Sequence, residues 1–269
     1  MNLIEKLCVK PGREVKLKDY DPDATPGFKE KPDVVSILQK TAQRLAELQY
    51  LMYAENKRAL LIVLQALDTG GKDGTIRHVM TGLNPTGVRV KAFKVPTEDE
   101  LDHDFLWRVH QAVPPYGEFG IFNRSHYEDV IVVRVHDLVP RPVWKKRYDE
   151  INAFERHLVE NNTTILKFYL HISKEEQKRR LQDRIKDRER WWKLSPADFE
   201  ERKRWSDYQV AYEDALTRCS TDRAPWHIIP ANKKWFRNLA VAEILLETLE
   251  SMKMKFPKPK MDPTKIRFR

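Results

Sequence analysis

Only two cysteines occur in the chain, Cys8 and Cys219, and no spacing pairs them. A disulfide framework and a cysteine metal site are therefore both excluded as organising principles. No apolar run approaches the length of a membrane span, and MNLIEKLCVKPGREVK lacks the apolar centre of a signal peptide, so the expected compartment is the cytoplasm. The eight histidines show no His-Glu-x-x-His or comparable ligand spacing and read as structural or solvated. Ser125 beside His126 is no hydrolase triad, because neighbours in sequence do not face each other and no nucleophile-elbow glycines flank them. Internal repeats and low-complexity blocks are also missing.

What remains is a chain of 269 residues, 41% hydrophobic, long enough to bury a full core as one α/β domain with an appendage. Lys and Arg number 49 against 40 Asp and Glu, a net charge of +9. That balance favours an anionic partner, and by itself it does not choose among nucleic acid, a membrane surface and a phosphate-rich small molecule.

The organising stretch is Ala59 to Val79, ALLIVLQALDTGGKDGTIRHV. Its apolar opening, Ala59 to Leu64, has the length of a strand buried on both faces at mid-sheet. Asp68, Thr69, Gly70, Gly71, Lys72, Asp73, Gly74 and Thr75 follow, a loop whose glycines let backbone amides converge on an anion. A helix opening near Thr75 would aim its positive end at the same place. The pattern Gly, four residues, Gly-Lys-Ser/Thr is only partly met: aligned on Gly71-Lys72, the first glycine becomes Ala66 and the Ser/Thr becomes Asp73. The bland alternative is a glycine-rich turn with a solvated lysine. Asp68 speaks against it, since a carboxylate four residues before a phosphate-binding lysine repels the ligand unless a cation lies between, which makes Asp68 a candidate metal ligand.

Around this stretch, residues 1–32 read as an extended arm and 33–56 as an amphipathic helix. Strands are expected at Val88 to Phe93, Phe119 to Phe122, Thr164 to Ile172 and Trp226 to Ile229. Helices are expected at Val143 to Glu160, after Ser173 with its cap partner Glu176, and at Lys234 to Met252. Thr97 and Glu100 form a capping box for one helix packed through Leu101, Phe105, Val109 and Ala112. Strands alternating with helices predict a parallel five-stranded sheet with helices on both faces. Asn123 to Asp129 crowds polar residues at a strand's carboxyl end, where open α/β sheets put their ligands. Residues from 257 read as a loose basic tail.

Between Lys178 and Lys193 stand eight Lys or Arg and three Asp or Glu. Arg180, Arg184 and Arg188 form a stripe at intervals of four beside an inward face of Leu181 and Ile185. A solvated helical face explains most such runs. In a phosphate-loop α/β protein, however, this is where a lid would close over a phosphoryl group. Trp191, Trp192 and Trp205 suit packing between lid helices, with stacking on a base or single strand as the alternative.

LQALDTGGKDGTIRHVMTGLNPTGVRV, FLWRVHQAVP, GIFNRSHYEDVIVVRV, TTILKFYLHISKEEQKRRLQDRI and APWHIIPANKKWFRNL, in this order and spacing, resemble the polyphosphate kinase family 2 proteins from about residue 9 to 256. The resemblance implies a phosphate-loop kinase-like α/β domain at 33–256 with a helical lid at about 174–218, in a homo-oligomer, dimer or tetramer. It implies transfer of the terminal phosphoryl group of inorganic polyphosphate to nucleotides, reversibly, with magnesium or manganese, and without nucleic acid or membrane partners. It assigns catalytic roles to Asp68, Lys72, Arg124, Glu128 and Arg134. Phosphate or nucleotide binding falls to Thr69, Gly70, Gly71, Asp73, Gly74, Thr75 and Asn123, polyphosphate binding to Arg180, Arg184 and Arg188, and the metal to Asp68 and Glu128. Asn123 stands where many members carry Asp, so the carboxylates of Asp68 and Glu128 would supply the missing charge. This variant resembles the subgroup that phosphorylates nucleoside mono- and diphosphates. An ATP-dependent nucleoside monophosphate kinase and a non-catalytic nucleic-acid-binding protein are the alternatives.

Overall fold

The computed structural model describes residues 3–267. Five strands, β1 (Ala59–Gln65), β2 (Val88–Ala92), β3 (Phe119–Asn123), β4 (Thr163–His171) and β5 (Trp226–Pro230), form one parallel sheet in the order β2-β3-β1-β4-β5. Every residue of β1 is buried, as its unbroken apolar run requires of a strand paired on both sides. Leu60 registers against Phe119 of β3, and Ala59 against Thr163 of β4.

Parallel pairing demands crossovers, and helices supply them. They are α1 (Leu3–Leu7), α2 (Val34–Glu55), α3 (Lys72–Val79), α4 (Glu98–Leu101), α5 (Trp107–His110), α6 (Val132–Val135), α7 (Arg141–Glu160), α8 (Lys174–Lys186), α9 (Pro196–Lys203), α10 (Trp205–Arg218) and α11 (Lys234–Ser251). One group packs α11 against α1, α2, α3 and β5; another packs α7 against β4 and α6, with α6 also against α10. Local chemistry sets the ends. Asp33 accepts the Ser36 N–H at 3.2 Å to start α2, Asn56 closes it at φ 50°, and Ser173 accepts the Glu176 N–H to start α8.

The helix expected from Thr97 to Ala112 is instead broken. The capping box forms, but α4 ends after one turn and α5 begins only at Trp107. Asp104 Oδ1 accepts the Leu106 N–H at 2.9 Å, a local bond that competes with the helical ladder. The break returns buried Arg108 to Glu100 at 3.1 Å and leaves Leu101 exposed.

The amino-terminal segment is also more ordered than a plain extended arm. It opens with α1, and Val9 donates to the Trp226 carbonyl at 2.8 Å while Cys8 bridges antiparallel to His227, which covers the β5 edge. Leu3, Leu7, Val9, Val15 and Leu17 are buried there. Farther along, Leu17 N–H reaches Glu213 Oε1 on α10, and Pro22 O accepts from Asn232 N–H after β5.

Behind the end of β3 lies a buried ionic cluster. Lys167 Nζ on β4 is 2.5 Å from Glu155 Oε2 and donates to Tyr127 Oη at 2.8 Å, and Glu155 Oε1 also meets His126 Nε2 at 3.1 Å. A buried pair of this kind persists only when its remaining polar sites are filled, and here His126 and Tyr127 of the turn His126–Asp129 do so together with the Cys219 carbonyl, which accepts from Lys167 Nζ at 2.6 Å. The cluster thereby fixes the backbone that carries Arg124 and Glu128. It also accounts for His126 as a structural histidine.

Candidate active site

The glycine loop joins the end of β1 to α3. Thr69 takes φ 62° and Gly71 φ 105°, and the α3 amino end has no side-chain cap, so its amides stay open. A Cβ on Gly70 would lie 2.5 Å from Ala66 Cβ and 2.8 Å from Leu67 O, so that position requires glycine on space, while Gly71, where a Cβ would meet Arg237 Nη1 at 1.9 Å, requires it through its φ of 105°. Lys72 folds back over the loop, its Nζ donating to Ala66 O at 2.8 Å. Burial pushes its pKa down and Arg124 adds to this, against the opposing pull of Asp68, Glu128 and Asp73.

Two clefts meet at this loop. One, of about 410 Å³, is lined by Asp68, Arg124 and Glu128 together with His136, Asp198, Glu201, Trp205, Tyr208 and Tyr212. The other, of about 530 Å³, takes in Thr69, Gly71 and Gly74 and gathers Arg77, Arg180, Arg184, Arg190, Lys193, Lys234 and Arg237 around them, against Asp183 and Glu189. We call them the aromatic and the basic cleft.

In the aromatic cleft Arg124, at φ 63°, holds both carboxylates: Nη2 donates to Asp68 Oδ1 at 2.9 Å, and Nη1 is 3.5 Å from Glu128 Oε2. Burial raises the Glu128 pKa, while Arg124 and Lys72 oppose the rise. Gln65 Nε2 donates to Ser125 Oγ at 3.1 Å and Gln65 Oε1 accepts from Tyr212 Oη at 3.2 Å, which braces the turn from the β1 side. Asn123 does not join Glu128. Its amide donates to Asp73 Oδ1 at 2.7 Å instead.

Asp68 and Glu128 offer oxygen donors only, a set that suits a hard divalent cation completing its shell with water and substrate phosphate. Thr69 Oγ1, buried in the loop, has no partner among the described residues. No group of three or more His, Cys, Asp or Glu is arranged for a metal among the described residues. The donor set therefore fits a cation shared with substrate and does not form an all-protein cage.

Several expected site residues stand elsewhere. Arg134 lies in a third cleft, with Nη1 2.5 Å from Asp214 Oδ2 and the guanidinium 4.6 Å from the Trp144 ring centre. One turn of α6 aims Val132 and His136 at the aromatic cleft and carries Arg134 away from it. The Thr75 hydroxyl is buried and donates back to Gly71 O. Arg180 is buried too, and every guanidinium N–H has an acceptor: Glu176 Oε1, Thr69 O, Gly70 O, Ala231 O and Asn232 O. It ties the loop to the segment after β5 and has no hydrogen left for a ligand. Arg184 lines the basic cleft but is held by Asp198 at 2.9 Å, and Arg188 is exposed beside Trp191, outside the lining. Trp191 and Trp192 are exposed and do not pack helix against helix, whereas Trp205 is buried.

Sequence reasoning missed Arg77, Arg190, Lys193, Lys234 and Arg237 of the basic cleft, and Tyr208 and Tyr212 of the aromatic one. Lys234 and Arg237 follow β5 directly, so the rule that ligands sit beyond the carboxyl ends of strands would have found them.

A parallel sheet with a glycine loop beyond its central strand, opening to a cation-lined cleft on one side and an aromatic, acidic one on the other, defines a class of phosphoryl-transfer proteins. The model of the polyphosphate kinase 2 family matches residues 29–257, and the chain belongs to that family. It is accordingly an enzyme that transfers phosphate between polyphosphate and nucleotides. Among similar proteins, an AMP/ADP-polyphosphate phosphotransferase of Meiothermus ruber is 54% identical over 98% of this chain and 99% of its own length. An ADP-polyphosphate phosphotransferase of Rhodopseudomonas palustris is 43% identical, covering 94% of this chain and 92% of its own. The crystal structure of polyphosphate kinase 2 from Arthrobacter aurescens TC1 superposes with a TM-score of 0.94 at 43% identity, over 98% of this chain and 94% of that one. Among the described residues no helix is long and apolar enough to cross a membrane.

Proposed function

We propose that this enzyme moves the terminal phosphoryl group of inorganic polyphosphate to AMP and to ADP, with GMP and GDP as further acceptors, reversibly and with magnesium. The observation that carries the assignment of substrates to sites is the pairing of clefts across one loop. A polyphosphate chain bears about one negative charge per phosphate and needs a cationic track, which the basic cleft supplies. A nucleotide needs a surface for its base as well, and Trp205, Tyr208 and Tyr212 supply one in the aromatic cleft. The acceptor range follows the name of the Meiothermus ruber relative.

In the transfer, an acceptor phosphate oxygen attacks the terminal phosphorus, the bridging P–O bond breaks, and polyphosphate leaves one unit shorter. The acceptor oxygen is already anionic near neutral pH, so no side chain has to remove a proton. Catalysis then rests on position and on neutralising charge. Lys72 and the open α3 amides act on the transferring group, and Arg124 bridges the acceptor side while holding Asp68 and Glu128 in place. A divalent cation bound by Asp68 and Glu128, magnesium or in its place manganese, would neutralise phosphate oxygens. The segment α8 to α10 is proposed as a lid, since its residues line both clefts. The cytoplasm and a homo-oligomeric state, dimer or tetramer, complete the proposal on the family's resemblance.

The test is an assay of purified protein with polyphosphate, magnesium and either AMP or ADP, with no nucleoside triphosphate present. Formation of ADP from AMP and of ATP from ADP is expected. Phosphorylation that requires ATP as donor would overturn the polyphosphate assignment.

A further inference from the structure

Arg237 stands in the first turn of α11, only 3% exposed, and among the described residues it has no carboxylate partner. Its Nε and Nη2 both donate to Asn238 Oδ1, at 3.0 and 2.8 Å, and Nη1 has no acceptor among the described residues. An arginine this deep without a counterion is costly, because burial removes hydration that a neutral amide oxygen replaces only in part. Burial, and secondarily the like charge of Arg180, push its pKa down to about 10.

The loop is built to admit this side chain. A Cβ on Gly71 would fall 1.9 Å from Nη1 and one on Gly74 3.2 Å from Nη2, so two of the loop's glycines make room for a guanidinium beneath the backbone. Arg237 lines the basic cleft beside Thr69, whose buried hydroxyl is also without a partner. Both α3 and α11 begin there without a side-chain cap, so two sets of open amides face the same space. The Arg237 guanidinium, the Thr69 hydroxyl and the uncapped start of α11 thus converge on this space without a protein anion bound to any of them.

We propose that Arg237 is a binding residue for the polyphosphate donor, its missing counterion being a phosphate of that chain. The proposal rests on the assignment of polyphosphate to the basic cleft. It separates Arg237 from Arg180, which lies nearby and is also buried but fully satisfied by protein acceptors.

The experiment uses Arg237→Met, which keeps most of the volume and removes the charge, and Arg237→Lys, which keeps a charge. Thermal melting with and without polyphosphate, donor KM over a salt series and ADP KM are measured on the full chain. For Arg237→Met the expected results are an unliganded Tm no lower than wild type, a smaller rise in Tm on adding polyphosphate, and a donor KM raised about tenfold or more. The slope of log KM against log salt should become shallower by about 0.7 to 0.9 for the lost phosphate contact, with ADP KM within about twofold. Arg237→Lys should recover part of the donor KM. An unliganded Arg237→Met protein that melts several degrees low or fails to fold, or one whose donor KM and salt slope are unchanged, overturns the proposal. Arg190→Ala and Lys193→Ala locate the failure. If they raise donor KM while Arg237→Met does not, only the role of Arg237 falls; if none does, the assignment of the basic cleft falls with it.

Discussion

Asn123 Nδ2 donates to Asp73 Oδ1 at 2.7 Å, which ties the end of β3 to the first turn of α3. Asp73 occupies the position that carries Ser or Thr in the usual phosphate loop, and an unpaired carboxylate there would repel the phosphoryl group that the loop is proposed to hold. The amide directs that carboxylate toward β3. Asn123→Ala should therefore lower kcat/KM about tenfold, the scale of one hydrogen bond to a charged group. Asp73→Ala should cost less, because it removes the repulsion along with the bond. A double-mutant cycle in kcat/KM that shows no coupling between the two would contradict this.

Lys72→Ala and Asp68→Asn should each cost at least about a hundredfold in kcat with the fold intact, since transfer through a loose transition state depends on positioned charge. Lys72 lies over the loop with its Nζ on Ala66 O, and Asp68 anchors Arg124 at the aromatic cleft, the places where the proposed transfer needs positive charge and a metal ligand. Turnover is read together with circular dichroism and Tm. Near-wild-type turnover in either variant would remove the glycine loop from the mechanism.

Arg180→Ala should lower stability by about 3 kcal/mol or more, because it leaves loop carbonyls and Glu176 without their buried partner. The salt slope of donor KM should stay at the wild-type value in any folded fraction. Arg190→Ala should do the reverse, with stability within about 0.5 kcal/mol and a slope shallower by about 0.7 to 0.9. Urea unfolding and kinetics over a salt series separate the two, and a flattened slope in Arg180→Ala would restore that residue to the ligand.

His227 provides a pH signature. Burial holds its pKa at about 4 against an ordinary 6.5, with a hydrogen bond to the Lys167 carbonyl opposing the shift. The unfolded chain therefore takes up the proton first as pH falls. The stability linked to this neutral imidazole is complete above about pH 6.5 and is lost progressively toward pH 4. Between pH 7 and pH 5 wild type should lose about 2 kcal/mol more than His227→Gln in unfolding free energy. Equal losses would show that the histidine does not titrate as its burial demands.

The limits of the sequence follow from these residues. β1 was legible because a strand buried on both faces writes its environment as an unbroken apolar run, and the glycine loop was legible because it follows at once. The break between α4 and α5 was not, since a single Asp104 bond outweighs a good capping box and a tolerable stripe. Spacing placed Arg180, Arg184 and Arg188 near one another but did not show what each one touches. Arg180 turned out to be satisfied by backbone from two distant segments, and Arg188 lies outside the cleft. Arg134 sits in the same helical turn as Val132 and His136, which line the aromatic cleft, and faces away from it, a difference of direction that a motif cannot encode. Arg237 stands out only through a missing counterion, which is a property of the folded surroundings and not of its neighbours in sequence.

The division of the two substrates between the two clefts is tested most directly by a crystal structure with AMP and a short polyphosphate bound together. The expected result is the phosphate chain in the basic cleft between Gly71, Arg190 and Arg237, with the nucleotide on the other side of the loop and its base against Trp205, Tyr208 or Tyr212. Polyphosphate in the aromatic cleft, or both ligands on the same side of the loop, would contradict it.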